Sequence, residues 1–159
     1  MTTEIERRFL PDHLPAGFDL GPGTSIRQGY LAGEGSVSVR MRIADEVATM
    51  TVKAGAGLVR TEVTVVLDPD QAEALWPHTA GRRLDKVRHR VPLGPQGQYV
   101  AEIDCYLGEL AGLVLIEVEF DDEDAAAAFE PPTWFGREIT GRPEWSNAAL
   151  ARNGRPIDS

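Results

Sequence analysis

Apolar and polar residues alternate with a period of two along most of the chain. The alternation is clearest at 36–43 (SVSVRMRI), where every second residue is Val, Met or Ile. A period of two predicts β-strands, because successive strand residues point to opposite faces. Strands are therefore predicted at 3–9, 36–43, 48–53, 60–67, 85–91, 99–107 and 113–120, with 26–31 as a candidate eighth strand.

The segments between these strands predict their connections. Glycine-rich turns of hairpin length, such as GPGT, AGEG and KAGAG, favour an antiparallel sheet of mostly sequential strands. Helical signals predict three helices, at 69–77, 121–129 and 143–153. The pattern thus indicates an α+β chain that is mainly β.

The polar phase of the strands carries charges that are sorted by sign, with only Arg in some strands and only Glu in others. The simplest interpretation is the solvated face of an open sheet. A solvated face gives no reason for sorting, however, whereas a closed antiparallel barrel can specialise opposite walls of its lumen. We therefore predict a closed barrel that forms a charged tunnel, with helices packed outside.

Length and charge narrow the range of functions. The 159 residues predict a single domain, 1–159, with a loose tail at about 153–159. A net charge of −9 argues against a nucleic-acid binder or an anionic-membrane binder. No membrane span or secretory signal is recognisable, and the lone Cys105 excludes an internal disulfide, so we expect a cytoplasmic protein. A homodimer is left open.

Three pairs of carboxylates share the polar phase at a spacing of i and i+2. They are Glu4 with Glu6, Glu102 with Asp104, and Glu117 with Glu119. Two carboxylates one strand pitch apart can share a hard cation. Since the ligands are all oxygen, with no His or Cys cluster, the pattern predicts Mg²⁺ or Mn²⁺ rather than zinc.

Basic residues on the same phase form the complementary set. Guanidinium and ammonium groups in a row suit an anion with several phosphoryl groups. Cross-strand ion pairing with the acids is the alternative, but burying so many charges without a ligand would cost more than the pairing returns. We therefore predict a ligand-binding lumen, with the anion held by Arg40, Arg42, Lys53, Arg60, Lys86 and Arg88.

Several of these segments together resemble a known family. Their order along the chain resembles that of the CYTH superfamily, the triphosphate tunnel metalloenzymes. The segments are TEIERRFL, IRQGYL, VRMR, TVK, KVRHRV, EID, LVLIEVEF and GREITGRPEWSNAALA. The resemblance covers residues 3 to about 152. It implies an eight-stranded antiparallel barrel that binds a triphosphate compound and divalent metal in its tunnel.

The resemblance also assigns roles to individual residues. It implies catalytic roles for Glu4, Glu6 and Arg8, and it makes the basic residues above the triphosphate ligands. The implied metal ligands are Glu4, Glu6, Glu62, Glu102, Asp104, Glu117 and Glu119, although Glu102 and Asp104 could instead orient the bases. Arg8 departs from the family's E-x-E-x-K hallmark, since arginine keeps the charge but cannot deprotonate. Thr64 replaces an acid of many relatives and offers one ligand fewer.

The function expected from these residues is metal-dependent hydrolysis of a triphosphate. Inorganic triphosphate is the preferred substrate, because no aromatic or Asn-rich pocket for a base is recognisable in the sequence. Adenylate cyclase activity and hydrolysis of thiamine or nucleoside triphosphate are alternatives within the superfamily. A non-catalytic module that binds polyphosphate or a nucleotide is a further alternative, which Arg8 motivates.

Overall fold

A computed structural model of the chain describes residues 2–157 and contains nine strands. All eight predicted strands form, including the candidate at 26–31, which lies within a longer strand. The strands are β1 (Thr2–Leu10), β2 (Gly23–Glu34), β3 (Val37–Ala44), β4 (Val47–Ala54), β5 (Val59–Leu67), β6 (Arg83–Leu93), β7 (Tyr99–Tyr106), β8 (Val114–Phe120) and β9 (Arg137–Glu138).

The first eight strands close into an antiparallel barrel in the order β5-β4-β3-β2-β6-β7-β8-β1. The closing seam is short, because β1 and β5 share four residue pairs, from Thr2 with Glu62 to Ile5 with Val59. β1 then pairs with β8 from Ile5 to Phe9. The two-residue β9, which the sequence pattern does not predict, adds to the far end of β1. The predicted barrel is confirmed.

A helix forms in each of the three predicted segments, but all three are shorter than expected. α1 (Pro69–Leu75) starts at a capping box between Asp68 and Gln71 and continues as a 3₁₀ turn, Trp76–Thr79. α2 (Glu123–Ala128) is capped by Asp122. A single helix over 143–153 is wrong. Ser146 has an extended backbone there, and its hydroxyl caps α3 (Asn147–Asn153) after a separate 3₁₀ turn at Pro143–Trp145.

Apolar packing covers the outside of the barrel and plugs one end of it. Outside, an aromatic cluster gathers Phe9, Phe120, Phe129 and Phe135, and α1 packs near Met41 and Leu67. Leu84, Tyr106 and Leu115 share the inward phase of their strands, and they pack with Trp145 and Leu150 of the C-terminal segment. This plug leaves the rest of the lumen to the charged residues.

Candidate functional site

The lumen encloses a cavity of about 300 Å³ whose lining is almost entirely polar. Every strand except the two-residue β9 contributes inward-facing side chains to this part of the barrel, and α3 reaches it from the plugged end. The lining residues are Thr2, Glu4, Glu6, Arg8, Tyr30, Ser38, Arg40, Arg42, Lys53, Arg60, Glu62, Arg88, Glu102, Glu117, Glu119, Ser146, Asn147 and Ala148. Most of the residues predicted from the strand phase therefore meet in one cavity.

The strand order divides the charges between two walls. The basic wall consists of the neighbouring strands β4, β3, β2 and β6, which contribute Lys53, Arg40, Arg42, Lys86 and Arg88. The acidic wall consists of β5, β1, β8 and β7, which contribute all seven predicted carboxylates together with Arg8 and Arg60. The chain thus places a carboxylate-rich wall opposite a wall of bases.

Two arginines of the basic wall have no carboxylate partner among residues 2–157. Arg40 is buried and donates a long hydrogen bond of 3.4 Å to Thr51, while its Nε has no partner. Arg42 donates to Gln28 Oε1 at 3.1 and 3.3 Å. Burial and the neighbouring guanidinium of Arg40 lower the pKa of Arg42 to about 10. A buried arginine and a half-buried one, adjacent on one strand face and without a counter-charge, indicate a site for an anion.

The acidic wall is only partly neutralised by bases. Lys53 donates to Glu4 at 3.0 Å, and Arg60 bridges Glu4 and Glu6 at 3.4 and 3.1 Å. Burial and the carboxylates of Glu117 and Glu4 raise the pKa of Glu6 to about 7. The wall therefore holds more negative charge than its own bases balance.

Glu119 lies directly opposite Glu6 in the pairing of β1 with β8. Within the described part of the chain it makes no hydrogen bond or ion pair. Burial and three neighbouring carboxylates raise its pKa. A carboxylate without a basic partner, surrounded by other carboxylates, is a place where a cation would be stabilised.

The oxygen donors of the acidic wall fit a hard divalent cation. Among residues 2–157, no three acidic, His or Cys side chains already converge as a metal-ligand group. The facing pair Glu6 and Glu119 nevertheless lacks a full counter-charge, and hard cations favour carboxylate oxygens. The residues present therefore suit Mg²⁺ or Mn²⁺ chemically, although their side chains are not gathered into a finished site.

Arg8 lies deep in the tunnel, next to the plug. Its Nε donates to Glu117 Oε1 at 3.3 Å, and its Nη2 is buried without a partner. Burial opposes the charge, but Glu117, Tyr106 and Glu6 together outweigh it and raise the pKa of Arg8. The hallmark position is thus occupied by a permanently charged group with one donor left free.

The structure places Lys86 and Asp104 below the cavity rather than in its lining. Lys86 is fully buried and donates to Asp104 at 2.7 Å, and Arg88 binds the same carboxylate at 2.7 and 2.8 Å. Burial lowers the pKa of Lys86 to about 7. These three residues form an ion-pair network between the plug and the cavity.

The predicted site residues do not include several that line the cavity, namely Thr2, Tyr30, Ser38, Ser146 and Asn147, although the alternation in β3 puts Ser38 on the face of Arg40 and Arg42. Tyr30 shares its phase with Gln28, which donates to the Tyr30 hydroxyl at 3.1 Å, so the alternation in β2 could have identified both. Asn147 accepts from Tyr106 at 2.6 Å and from Lys86 at 3.4 Å. No periodic signal marks Ser146 or Asn147, because they reach the lumen from a capped helix.

A second cavity of about 500 Å³ adjoins the first at the plugged end of the barrel. The two cavities share six residues, including Glu6, Arg8 and Arg60. The second is lined mainly by small residues of the β2–β3 and β4–β5 turns and by Arg142 and Arg152. The tunnel therefore continues past Arg8 into a roomier and less charged space.

None of the helices described between residues 2 and 157 has the length and hydropathy of a membrane span.

Comparisons with known proteins agree with this geometry. No family model matches the sequence. An inorganic triphosphatase of Nitrosomonas europaea is 45% identical over 150 residues, which cover 94% of this chain and 97% of that protein. An inorganic triphosphatase of Acetivibrio thermocellus is 33% identical and covers 96% of each. The crystal structure of an inorganic triphosphatase, 41% identical, superimposes with a TM-score of 0.69 over 98% of this chain and 99% of that chain.

Proposed function

Because the chain belongs to the inorganic triphosphatases of the CYTH superfamily, we propose that it hydrolyses inorganic triphosphate in its tunnel with the help of a divalent cation. The observation that carries this proposal is the pair Arg40 and Arg42. Both guanidinium groups are enclosed in the lumen without a carboxylate partner among the described residues, and they face a wall of carboxylates. An anion that brings its own metal cations satisfies both walls at once.

The basic wall binds the substrate. Arg40 and Arg42 take oxygens of one phosphoryl group, while Lys53, Arg60 and Arg88 take oxygens of its neighbours. Arginine suits this role because its planar fork matches two phosphate oxygens. Lys53 and Arg60 form ion pairs with Glu4, so substrate binding exchanges these partners.

The residues of the acidic wall that would hold Mg²⁺ or Mn²⁺ are Glu4, Glu6, Glu62, Glu102, Glu117 and Glu119. When bound, a cation would neutralise the charge of phosphate oxygens and orient the attacking water. Glu62 is the acid of β5, where Thr64 offers a hydroxyl instead of a further carboxylate. Glu117 accepts from Arg8 at Oε1 and from Arg88 at Oε2, so its Oε2 would join the metal site once Arg88 turns to the substrate.

The reaction itself needs no nucleophilic side chain. A water oxygen bonds to a terminal phosphorus, the bridging P–O bond breaks, and pyrophosphate and orthophosphate are the products. Charge accumulates on the leaving pyrophosphate, where the fixed guanidinium groups of the basic wall stabilise it. Catalysis is then mostly alignment and charge stabilisation.

Arg8 acts as a catalytic residue from the deep end of the tunnel. Its free Nη2 donates to a phosphate oxygen while Nε keeps its bond to Glu117. Because a guanidinium does not deprotonate near neutral pH, Arg8 stabilises charge and does not accept a proton from water.

Lys86 and Asp104 have a supporting role in this proposal. Asp104 orients Lys86 and Arg88, which is the second of the two roles considered for it from the sequence. Arg88 reaches the cavity while Lys86 stays buried, so Lys86 contributes a charge below the substrate rather than the main contact.

A substrate and metal matrix tests the proposal. The protein is incubated with inorganic triphosphate, ATP and thiamine triphosphate, each with Mg²⁺, Mn²⁺ or EDTA, and phosphate release is measured. We expect release from inorganic triphosphate that EDTA abolishes. Tight binding of all three compounds without any release would instead support the non-catalytic module.

Hydrolysis of organic triphosphates is the second candidate, and the adjoining 500 Å³ cavity favours it. Its small side chains leave room for a group attached to a terminal phosphate. In the same matrix, faster release from ATP or thiamine triphosphate than from inorganic triphosphate would make an organic compound the substrate. Formation of cyclic AMP would indicate the adenylate cyclase alternative.

The location of the protein is also a proposal. We place it in the cytoplasm, because its single cysteine fits a reducing compartment.

A further inference from the structure

Gln28 is a fully buried polar residue that lies beside the cavity without lining it. The strand register places it on β2 directly opposite Arg42 of β3. Gln28 is 0% exposed, and an amide that is buried without hydrogen bonds costs free energy. This amide is bonded at both ends. Its partners are Arg42 and Tyr30, and both of these residues line the cavity.

Arg42 determines which way the amide of Gln28 points. A guanidinium only donates hydrogen bonds, so the atom that it approaches at 3.1 and 3.3 Å is the amide oxygen, Oε1. The amide nitrogen then faces Tyr30 and donates to its hydroxyl at 3.1 Å. Burial raises the pKa of Tyr30, so the phenol stays neutral at neutral pH. The three side chains thus have one consistent arrangement of donors and acceptors, and turning the amide over would break the bonds at both ends.

The contact fixes the guanidinium of Arg42 without neutralising it. Oε1 of Gln28 accepts from both Nε and Nη2, so the amide occupies one edge of the planar group, and Nη1 makes no hydrogen bond among residues 2–157. Burial and the neighbouring cations Arg40 and Arg88 lower the pKa of Arg42 to about 10, so the group remains charged at neutral pH. A glutamate of the same shape at position 28 would form an ion pair with this charge.

We propose that Gln28 is a positioning residue of the anion site, whose uncharged amide holds Arg42 in the orientation that receives a phosphoryl group and leaves its charge for the anion. This inference rests on the proposed binding of triphosphate in the tunnel. An arginine side chain has several rotatable bonds, so ordering it before the anion arrives removes an entropy cost from binding. The fixed plane of the guanidinium also determines which phosphate oxygens it meets.

Gln28→Glu tests whether the contact must be neutral, because it changes the charge and hardly changes the shape. Binding of inorganic triphosphate is measured by calorimetry in EDTA, so that no metal-dependent hydrolysis accompanies it. The new carboxylate pairs with Arg42, and the dissociation constant should rise at least about tenfold, the worth of one charge-assisted hydrogen bond. The melting temperature should stay the same or rise, because Arg42 gains a counter-charge. Gln96→Glu, on the exposed turn between β6 and β7, is the control with the same change in charge.

Gln28→Met tests whether the amide acts through Arg42. Methionine keeps the length of the side chain but offers no amide oxygen, so Arg42 loses both bonds and must be ordered when the anion binds. We expect the dissociation constant to rise about three- to tenfold, the cost of ordering one long side chain. In the Arg42→Ala protein the same substitution should change it less than about twofold, because the group that Gln28 positions is gone. A purely structural role predicts the same penalty in both proteins, and that result would overturn the proposal.

Binding and turnover together separate this proposal from the function on which it rests. If the native protein hydrolyses inorganic triphosphate and the folded Gln28→Glu variant binds it as tightly as the native protein does, the positioning role alone is overturned. If the native protein binds triphosphate without releasing phosphate, and the variants bind it as weakly as expected, the positioning role is supported and the proposed hydrolysis is wrong. A native protein that binds no triphosphate, in EDTA or in Mg²⁺, overturns both.

Discussion

The two walls of the tunnel are built from the same alternating strands but treat their charges differently. On the acidic wall, Glu4 and Glu6 accept hydrogen bonds from Lys53 and Arg60, so much of the charge is neutralised within the protein. On the basic wall, Arg40 and Arg42 have only neutral partners, Thr51 and Gln28. The acids are therefore stabilised by ion pairs within the protein, whereas these two arginines have no counter-charge and depend on an anion for one.

This difference shows which charged groups are unfavourably placed within the protein. A buried guanidinium without a counter-ion is costly, and burial already lowers the pKa of Arg42 to about 10. On the acidic wall, the pKa values of Glu6 and Glu119 are raised. These two residues lie opposite each other on the neighbouring strands β1 and β8. A bound anion would compensate the positive charge of the basic wall, and a bound cation would compensate the negative charge of the acidic wall.

Glu6→Gln is expected to have the largest effect on the acidic wall. The substitution removes one of two facing carboxylates and should lower metal-dependent turnover at least about 100-fold, the size of losing a major charge-stabilising group. Calorimetric titration with Mg²⁺ and steady-state hydrolysis measure it. Glu73→Gln, on the exposed face of α1, is the control. Unchanged turnover at low metal concentration would remove Glu6 from the metal site, and the same test applies to Glu4→Gln.

Arg40→Ala tests the basic wall and should have the next largest effect. Loss of a charge-assisted hydrogen bond should weaken triphosphate binding by about 1.5–3 kcal/mol. The fold should survive, because Arg40 makes no ion pair within the described chain and its Nε is unpartnered. Binding is measured by calorimetry with Arg27→Ala as control, since Arg27 lies on the outer face. Equal affinities would show that the anion does not reach Arg40.

Val39→Asp tests whether the two faces of β3 have separate tasks. Val39 pairs with Val52 on the outer face, so a carboxylate there should cost about 1–3 kcal/mol of stability and leave triphosphate affinity nearly unchanged. A thermal melt beside a binding titration compares the two faces. If Val39→Asp melted like the native protein while Arg40→Ala was badly unfolded, our assignment of the faces would be reversed.

Arg8→Lys should have the smallest effect. Lysine restores the hallmark residue but lacks the Nε that donates to Glu117. The Nη2 that the substitution removes has no hydrogen-bond partner within the described chain. We expect hydrolysis of inorganic triphosphate to be preserved or increased. Steady-state rates of both proteins decide. A tenfold or greater fall in kcat, about 1.4 kcal/mol in the barrier, would mean that this tunnel is built around arginine.

The strand phase was enough to predict the barrel and which side chains face inward. Alternation fixes the face of each residue from local sequence alone, so Arg40, Glu117 and their equivalents could be assigned without knowing the neighbours. The depth of a residue along the tunnel could not be predicted, because depth depends on how strands are staggered around the barrel. Lys86 and Asp104 therefore face inward as expected but lie below the cavity.

The sequence also could not predict which strands are neighbours in the closed barrel. Arg60 reads as one more base of the anion site, yet β5 closes the barrel against β1, and this contact places Arg60 beside Glu4 and Glu6. Such closure is a long-range contact with no local signal. The approach of Ser146 and Asn147 from α3 depends in the same way on how the C-terminal segment packs against the plug.

The tunnel is close to electroneutral, and this balance links the two ions that it is proposed to bind. The seven carboxylates of the predicted site equal its seven bases in number: Glu4, Glu6, Glu62, Glu102, Asp104, Glu117 and Glu119 against Arg8, Arg40, Arg42, Lys53, Arg60, Lys86 and Arg88. An anion that enters alone upsets this balance, and so does a cation. Each ion should therefore raise the affinity of the other by the same factor, because coupling between two binding events is reciprocal.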